Sequence, residues 1–250
     1  MRRVFSFALG SIWRWDTSTN RNALIDYVRK LDISGVELTL ATKEELYSFS
    51  LSKDNKHWLR SLDYVTIHAP FRLIKESKDQ REVIKQLNDI SRLYHDIDAK
   101  TVIIHPHDLL NSDIPRDFEC DISTENLPRK SGVPISGLRK ILHKYPTIGL
   151  CLDVSHAYSW SRAETGTLTE AFKDRISQIH FSGTCRKRDH QSLRDVTQDF
   201  LLSIQPVRCL DIPIVIEEDI EPRSLRYLEE EIEYIKCLFD GSLGVPSGDS

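Results

Sequence analysis

The sequence predicts an α/β protein folded as one closed (β/α)8, or TIM, barrel. Three observations lead there. Short β-branched runs alternate with segments of helical period along nearly the whole chain. Eight such runs occur, which fits a closed parallel barrel better than an open doubly wound sheet. The length of 250 residues suits a single barrel, and no linker or composition shift marks a second domain. The barrel is assigned to residues 1–240, and the Gly/Ser-rich end at 241–250 reads as a loose tail.

The elements follow in order. The first strand is read at Val4–Ala8, and Leu24, Ile25, Val28 and Leu31 then share one face of a helix over Asn22–Leu31. Gly35–Leu38 is the second strand, followed by a helical region that contains Leu46 and later Trp58, Leu59 and Leu62. Tyr64–His68 leads into a long helix over Arg81–Tyr94, striped by Val83, Ile84, Leu87, Ile90, Leu93 and Tyr94. Thr101–His105 and Cys120–Glu125 are the fourth and fifth strands. Only 14 residues, Pro106 to Glu119, separate them, and two are prolines, so the fourth helix is expected to be missing or reduced to a turn. A helix over Ile135–Lys144 precedes strand Ile148–Asp153, and a helix near Leu168–Lys173 precedes strand Ile176–Phe181. A helix over Val196–Ile204, strand Ile212–Glu217 and a last helix over Leu225–Phe239 complete the pattern.

Composition sets the bounds. An apolar fraction of 40% and a charged fraction of 29% are ordinary for a globular protein with a real core. A net charge of -4 gives no general attraction to nucleic acid or anionic membrane. No apolar run approaches the length of a membrane span, and the short run at Val4–Gly10 reads as a strand rather than a signal peptide. Five unpaired-looking cysteines suggest reduced thiols and a cytoplasmic setting.

The polar residues at the strand ends carry the functional signal. Of nine histidines, His57, His95 and His143 fall in helical stretches. The other six sit at or just after a strand's C-terminal end: His68, His105, His107, His156, His180 and His190. Glu125, Asp153 and Glu217 close the fifth, sixth and eighth strands. In a barrel these positions converge on one mouth, where the βα loops build the site. Mixed imidazole and carboxylate ligands suit Zn, Mn, Fe or Co rather than Ca. Between one and three such divalent ions are expected; spacing leaves open whether His105 or His107 is the ligand. Cys120 and Cys151 begin or lie inside strands and read as core. Trp13 and Trp15 in the first βα loop, and Phe71 after the third strand, read equally as ring-covering or packing aromatics. The basic cluster CRKRDH, 185–190, reads as a phosphate-binding or plain exposed loop.

As an ordered set, GVEL (35–38), IHAPF (67–71), VIIHPH (102–107), TENLP (124–128), LDVSHA (152–157), IHFSG (179–183), RDHQSL (188–193) and IVIEE (214–218) resemble the xylose isomerase-like TIM-barrel superfamily. That group contains sugar isomerases and epimerases as well as endonuclease IV-type apurinic-site endonucleases. The resemblance implies a central metal set of Glu125, Asp153, His180 and Glu217. In the endonuclease-like branch it further implies a site on His68 and His105 bridged by Glu125, and another on His156 and His190. Two features depart from the endonuclease pattern. Arg188 stands where an acidic ligand is expected, with Asp189 displaced by one, and the glycine-rich first-strand motif is absent. GVEL and ENLP are closer to the isomerase branch, where Arg186 or Arg188 would contact substrate.

The resemblance therefore implies a divalent-metal-dependent isomerase or epimerase of a sugar or sugar phosphate, with Glu125 and Glu217 as the acid–base pair. The alternative is an endonuclease IV-like multi-metal phosphoesterase acting on nucleic acid. His107, Arg186, Arg188, Trp13 and Phe71 are the expected substrate contacts in either reading.

Overall fold

The computed structural model describes residues 3–16, 21–77, 79–111 and 118–241. Eight parallel strands close the barrel: β1 (Phe5–Ala8), β2 (Gly35–Thr39), β3 (Tyr64–His68), β4 (Thr101–Ile104), β5 (Ile122–Glu125), β6 (Gly149–Asp153), β7 (Ile176–Phe181) and, after a hairpin, β10 (Ile214–Ile216). Sequential strands pair from β1 to β7, and β10 closes the ring with Phe5 opposite Ile214 and Ile216 opposite Phe181. The last strand is shorter than expected. Pro213 has no N–H to give the ladder, although its carbonyl accepts from Ile179 N at 3.0 Å, so pairing starts at Ile214.

The helices are more numerous than the sequence reading has them, because short polar caps divide the helical stretches. The region after β2 splits into α2 (Lys43–Ser48) and α3 (Lys53–Arg60), whose N-termini are capped by the Thr42 and Ser52 hydroxyls. α1 (Asn22–Val28) precedes them, and α4 (Gln80–Ile97) is the long striped helix, capped by Asp79. The fourth helix is indeed reduced: α5 spans Pro106–Asn111, six residues. Residues 112–117, including Pro115, and the expected tail at 242–250 lie outside the described residues. α6 (Ile135–Lys144) follows β5. Two helices follow β6, α7 (Val154–Trp160) and α8 (Glu164–Phe172); only the second has a counterpart in the sequence reading. β7 runs into an antiparallel hairpin, β8 (Gly183–Cys185) and β9 (Arg188–Gln191), where a loop is expected. The next helix begins at Gln198 rather than Val196, because Thr197 caps it, giving α9 (Gln198–Ser203) and α10 (Gln205–Arg208). α11 (Leu225–Asp240) packs last, with Phe239 against Phe5 and Phe181 of the sheet.

The apolar core lies between sheet and helices, whereas the barrel interior is unusually polar. Glu37, wholly buried, accepts from Thr66 Oγ1 at 2.9 Å and Gln178 Nε2 at 2.8 Å, and Tyr64 donates to Gln178 Oε1 at 3.0 Å. Close approach of neighbouring strands explains Gly35: a Cβ there would sit 2.4 Å from the Tyr64 carbonyl and 2.9 Å from the Ser6 side chain. This polar stack is the floor beneath the mouth. Among the described residues no helix is long and apolar enough to cross a membrane.

Candidate metal centre

The strand tips bring eight ligand-type side chains into three overlapping sets: His68, His105 and Glu125; Glu125, Asp153, His180 and Glu217; and Asp153, His156 and His190. Within each set the ligand atoms lie within 4.8 Å of one another. Glu125 is divided between two of them. Its Oε2 faces His68 Nε2 at 3.6 Å and His105 Nε2 at 3.5 Å, while Oε1 faces His180 Nδ1 at 3.1 Å. His180 Nδ1 also approaches Glu217 Oε2 at 2.7 Å.

Each of three histidines is anchored by one ring nitrogen on a backbone carbonyl, which fixes what the other offers. His68 Nδ1 lies 3.0 Å from the Ala69 carbonyl, His156 Nδ1 3.0 Å from the Asn126 carbonyl, and His190 Nδ1 2.9 Å from the Glu217 carbonyl. His180 Nε2 lies 3.2 Å from Glu37. A carbonyl can only accept, so in His68, His156 and His190 the anchored nitrogen carries the proton and the other presents a lone pair, whereas His180 faces carboxylates on both sides, with Nδ1 beside Glu125 and Glu217. The result is visible where His156 Nε2 and His190 Nε2 face each other at 3.1 Å. Two lone pairs at that distance need a cation or a proton between them. Asp153 Oδ2 is likewise buried without a hydrogen-bond partner. The donor set and its orphaned atoms fit divalent transition metals with nitrogen and oxygen ligands.

Electrostatics agree. Burial opposes charge throughout the cluster. Even so, Asp153, Glu125 and Glu217 push His156 up to about 10, and His156 and its neighbours hold Glu125 well below the usual carboxylate range. Burial pushes the Cys151 thiol up to about 12, so it stays protonated and belongs to the core as read. His190 has a left-handed backbone, φ 55°, a strained conformation of the kind that concentrates at sites. Its carbonyl accepts from Asp219 N at 2.7 Å, which helps hold it.

Sequence reasoning missed the parts that position these ligands. The Asn126 side chain clasps the Asp153 backbone twice, donating to its carbonyl and accepting from its N–H, both at 2.8 Å. Asp153 in turn caps α7 through Oδ1, accepting from His156 N at 2.6 Å. Glu37 fixes His180. Part of the signal was present, since Asn126 follows Glu125 directly and Glu37 is a carboxylate inside the otherwise apolar stretch GVEL.

A cavity of about 940 Å³ opens over the cluster, lined by His68, His105, Glu125, His156, His190 and Glu217, with Phe71 and His107 on its walls. A second lobe of about 720 Å³ shares Glu217, His190, Phe71 and Lys130, and adds Trp13 and Arg188. His105 thus joins the cluster and His107 stands outside it. Phe71 stacks on His105 with ring centroids 5.1 Å apart, and Trp15 is buried against Tyr27. Arg186 is exposed, and among the described lining residues it is absent from both lobes. Asp189 does not supply the third set's carboxylate, because Lys130 holds it at 3.0 Å; Asp153 takes that place.

No family model matches the chain, and no curated protein matches its sequence. Solved structures do. A D-tagatose 3-epimerase-like protein aligns over 96% of this chain and 99% of its own, at 16% identity and a TM-score of 0.66. Endonuclease IV from Thermus thermophilus aligns over 95% and 99%, at 15% identity and 0.65. The IolI protein with a bound zinc atom aligns over 98% and 100%, at 14% identity and 0.64. At such identities the likeness establishes the fold: this chain has the fold of the xylose isomerase-like TIM barrels.

Proposed function

We propose that the protein is a multi-metal phosphoesterase. The observation that carries this reading is the division of Glu125, one oxygen toward His68 and His105 and the other toward His180. A carboxylate so shared suits two neighbouring cations, the arrangement that brackets both oxygens of a phosphoryl displacement. Single-metal isomerisation would leave His68, His105 and His190 without a task. Glu125, Asp153, His180 and Glu217 would hold the central ion, His68 and His105 the second, and His156 and His190 the third. Bound there, the ions would supply Lewis acidity toward phosphate oxygens and a lowered pKa for attacking water. The chain's own groups do the rest: Phe71 walls the reacting group, and Lys75 in the cavity lining attracts its charge. Endonuclease IV among the similar structures is consistent with this assignment. All five cysteines are free, which supports a reducing, cytoplasmic setting.

A second reading, a metal-dependent isomerase or epimerase of a sugar or sugar phosphate, is favoured by one contact. Glu125 Oε1 and Glu217 Oε2 converge on one side of His180, at 3.1 and 2.7 Å, as an acid–base pair for moving a proton at one carbon would. One experiment separates the two. Zn- or Mn-loaded protein should hydrolyse bis(p-nitrophenyl) phosphate, and Glu125→Gln should lower the rate by at least about 100-fold and reduce bound metal. No phosphoester turnover, together with deuterium incorporation into ketoses or ketose phosphates from heavy water, would establish the isomerase instead.

A further inference from the structure

Three features meet at the second lobe, and the metal centre accounts for none of them. The first is Trp13. It is 48% exposed, a high value for the largest aromatic, yet it is held in place: the Arg14 guanidinium lies 4.5 Å from its ring centroid. Arg14 is itself fixed by both carboxylate oxygens of Asp219. A ring oriented by a fixed guanidinium and lining a cavity offers a pre-set face for stacking. Phe71, 44% exposed, stands in the same lobe.

The second feature is the hairpin tip. Arg186 and Lys187 both have left-handed backbones, φ 49° and 66°, in a two-residue turn that ordinarily takes Asn and Gly. Side chains with a Cβ are disfavoured there, and long basic ones are the opposite of the usual choice. The third feature is charge. Most cations around the two lobes are neutralised by neighbours: Lys43 by Glu82, Arg72 by Glu76, Lys130 by Asp189 and Arg21 by Glu45. Lys187 and Arg188 line the second lobe and make no ion pair among the described residues.

A fixed aromatic face beside two free cations recognises a flat ring that carries a nearby anion. We propose that the second lobe is a nucleotide subsite: the base stacks on Trp13, and Lys187 and Arg188 take a phosphate. The lobe shares Glu217 and His190 with the metal centre, so the nucleotide would be one arm of the ester cleaved there. This part rests on the phosphoesterase reading; the subsite itself does not.

The test is therefore one of binding. AMP and ribose 5-phosphate carry the same phosphate and differ in the base. Titrated into the metal-loaded protein by calorimetry, AMP should bind roughly tenfold or more tightly than ribose 5-phosphate, the usual range for one stacked base. Trp13→Ala should erase that difference, and Trp13→Phe should restore part of it. Paired Lys187→Ala and Arg188→Ala changes should weaken both ligands. Equal affinity for the two ligands, or a preference for AMP that survives Trp13→Ala, would overturn the subsite. Failure of bis(p-nitrophenyl) phosphate hydrolysis with the AMP preference intact would instead overturn the phosphoesterase reading alone.

Discussion

His156 donates from Nδ1 to the Asn126 carbonyl at 3.0 Å and turns Nε2 toward His190 Nε2 at 3.1 Å. Without a cation the ring takes a second proton. Burial resists this, but Asp153, Glu125 and Glu217 outweigh burial and raise its pKa from 6.5 to about 10. The sign follows. A histidine whose folded pKa is raised stabilises the metal-free fold fully below 6.5, and that contribution fades as pH climbs toward 10. Glu217 works the other way. Burial would raise its pKa, but His180 and its neighbours lower it from 4.5 to about 2, so its contribution is present above 4.5 and lost on acidification toward 2. The metal-free protein should accordingly be most stable in mildly acidic solution. Metal must displace the His156 proton, so uptake at pH 7 should release protons and tighten as pH rises. Calorimetry of Zn or Mn binding in buffers of different ionisation heat checks this; heats that do not depend on the buffer would contradict it.

At the scale of elements, the hairpin β8–β9 holds two residues against their backbone preference. Replacing Arg186 and Lys187 together by Asn and Gly should raise stability by about 1 kcal/mol, since Gly at 187 removes a left-handed Cβ that costs about that much and Asn at 186 tolerates the conformation better than Arg. Thermal denaturation should show a rise of roughly 2–4 °C, the shift expected for a chain of this size. The same change should weaken AMP binding, so the two readouts should move in opposite directions. This hairpin also shows what the sequence hides. Short apolar runs mark all eight barrel strands, because a strand buried on both sides needs several apolar residues in a row. CRKRDH has no such pattern; its pairing depends on two left-handed residues of types that rarely adopt that conformation. α7 is hidden for a different reason: its cap is Asp153, which the same sequence marks as a ligand. The eight candidate ligand residues, by contrast, are legible because strand ends in a closed barrel share one mouth. Asn126 and Glu37 act through hydrogen bonds to partners 27 and 143 residues away, which no local spacing reveals.

At the scale of the whole molecule, charge decides what size of substrate the mouth can hold. Duplex DNA is bound mainly by cations that replace its counterions, and affinity falls with salt in proportion to their number. The chain carries a net charge of -4, and Lys43, Arg72, Lys130 and Arg21 at the mouth are each paired with a carboxylate. Lys75, Lys187 and Arg188 make no ion pair among the described residues. Three free cations would give a slope of log affinity against log salt of roughly -3, far shallower than a dedicated duplex binder shows. An abasic-site duplex should therefore bind weakly at physiological salt and be cleaved poorly. A small phosphodiester would depend less on counterion release, because its proposed contacts are the metal centre, one stacked ring and at most two cations, Lys187 and Arg188. Filter binding of an abasic duplex between about 50 and 200 mM salt, beside hydrolysis of a dinucleotide under the same conditions, tests the distinction. A slope steeper than about -6, with efficient duplex cleavage, would mean that the duplex recruits cations now held in ion pairs. The small-substrate assignment would then fall, while the metal centre beneath it would stand.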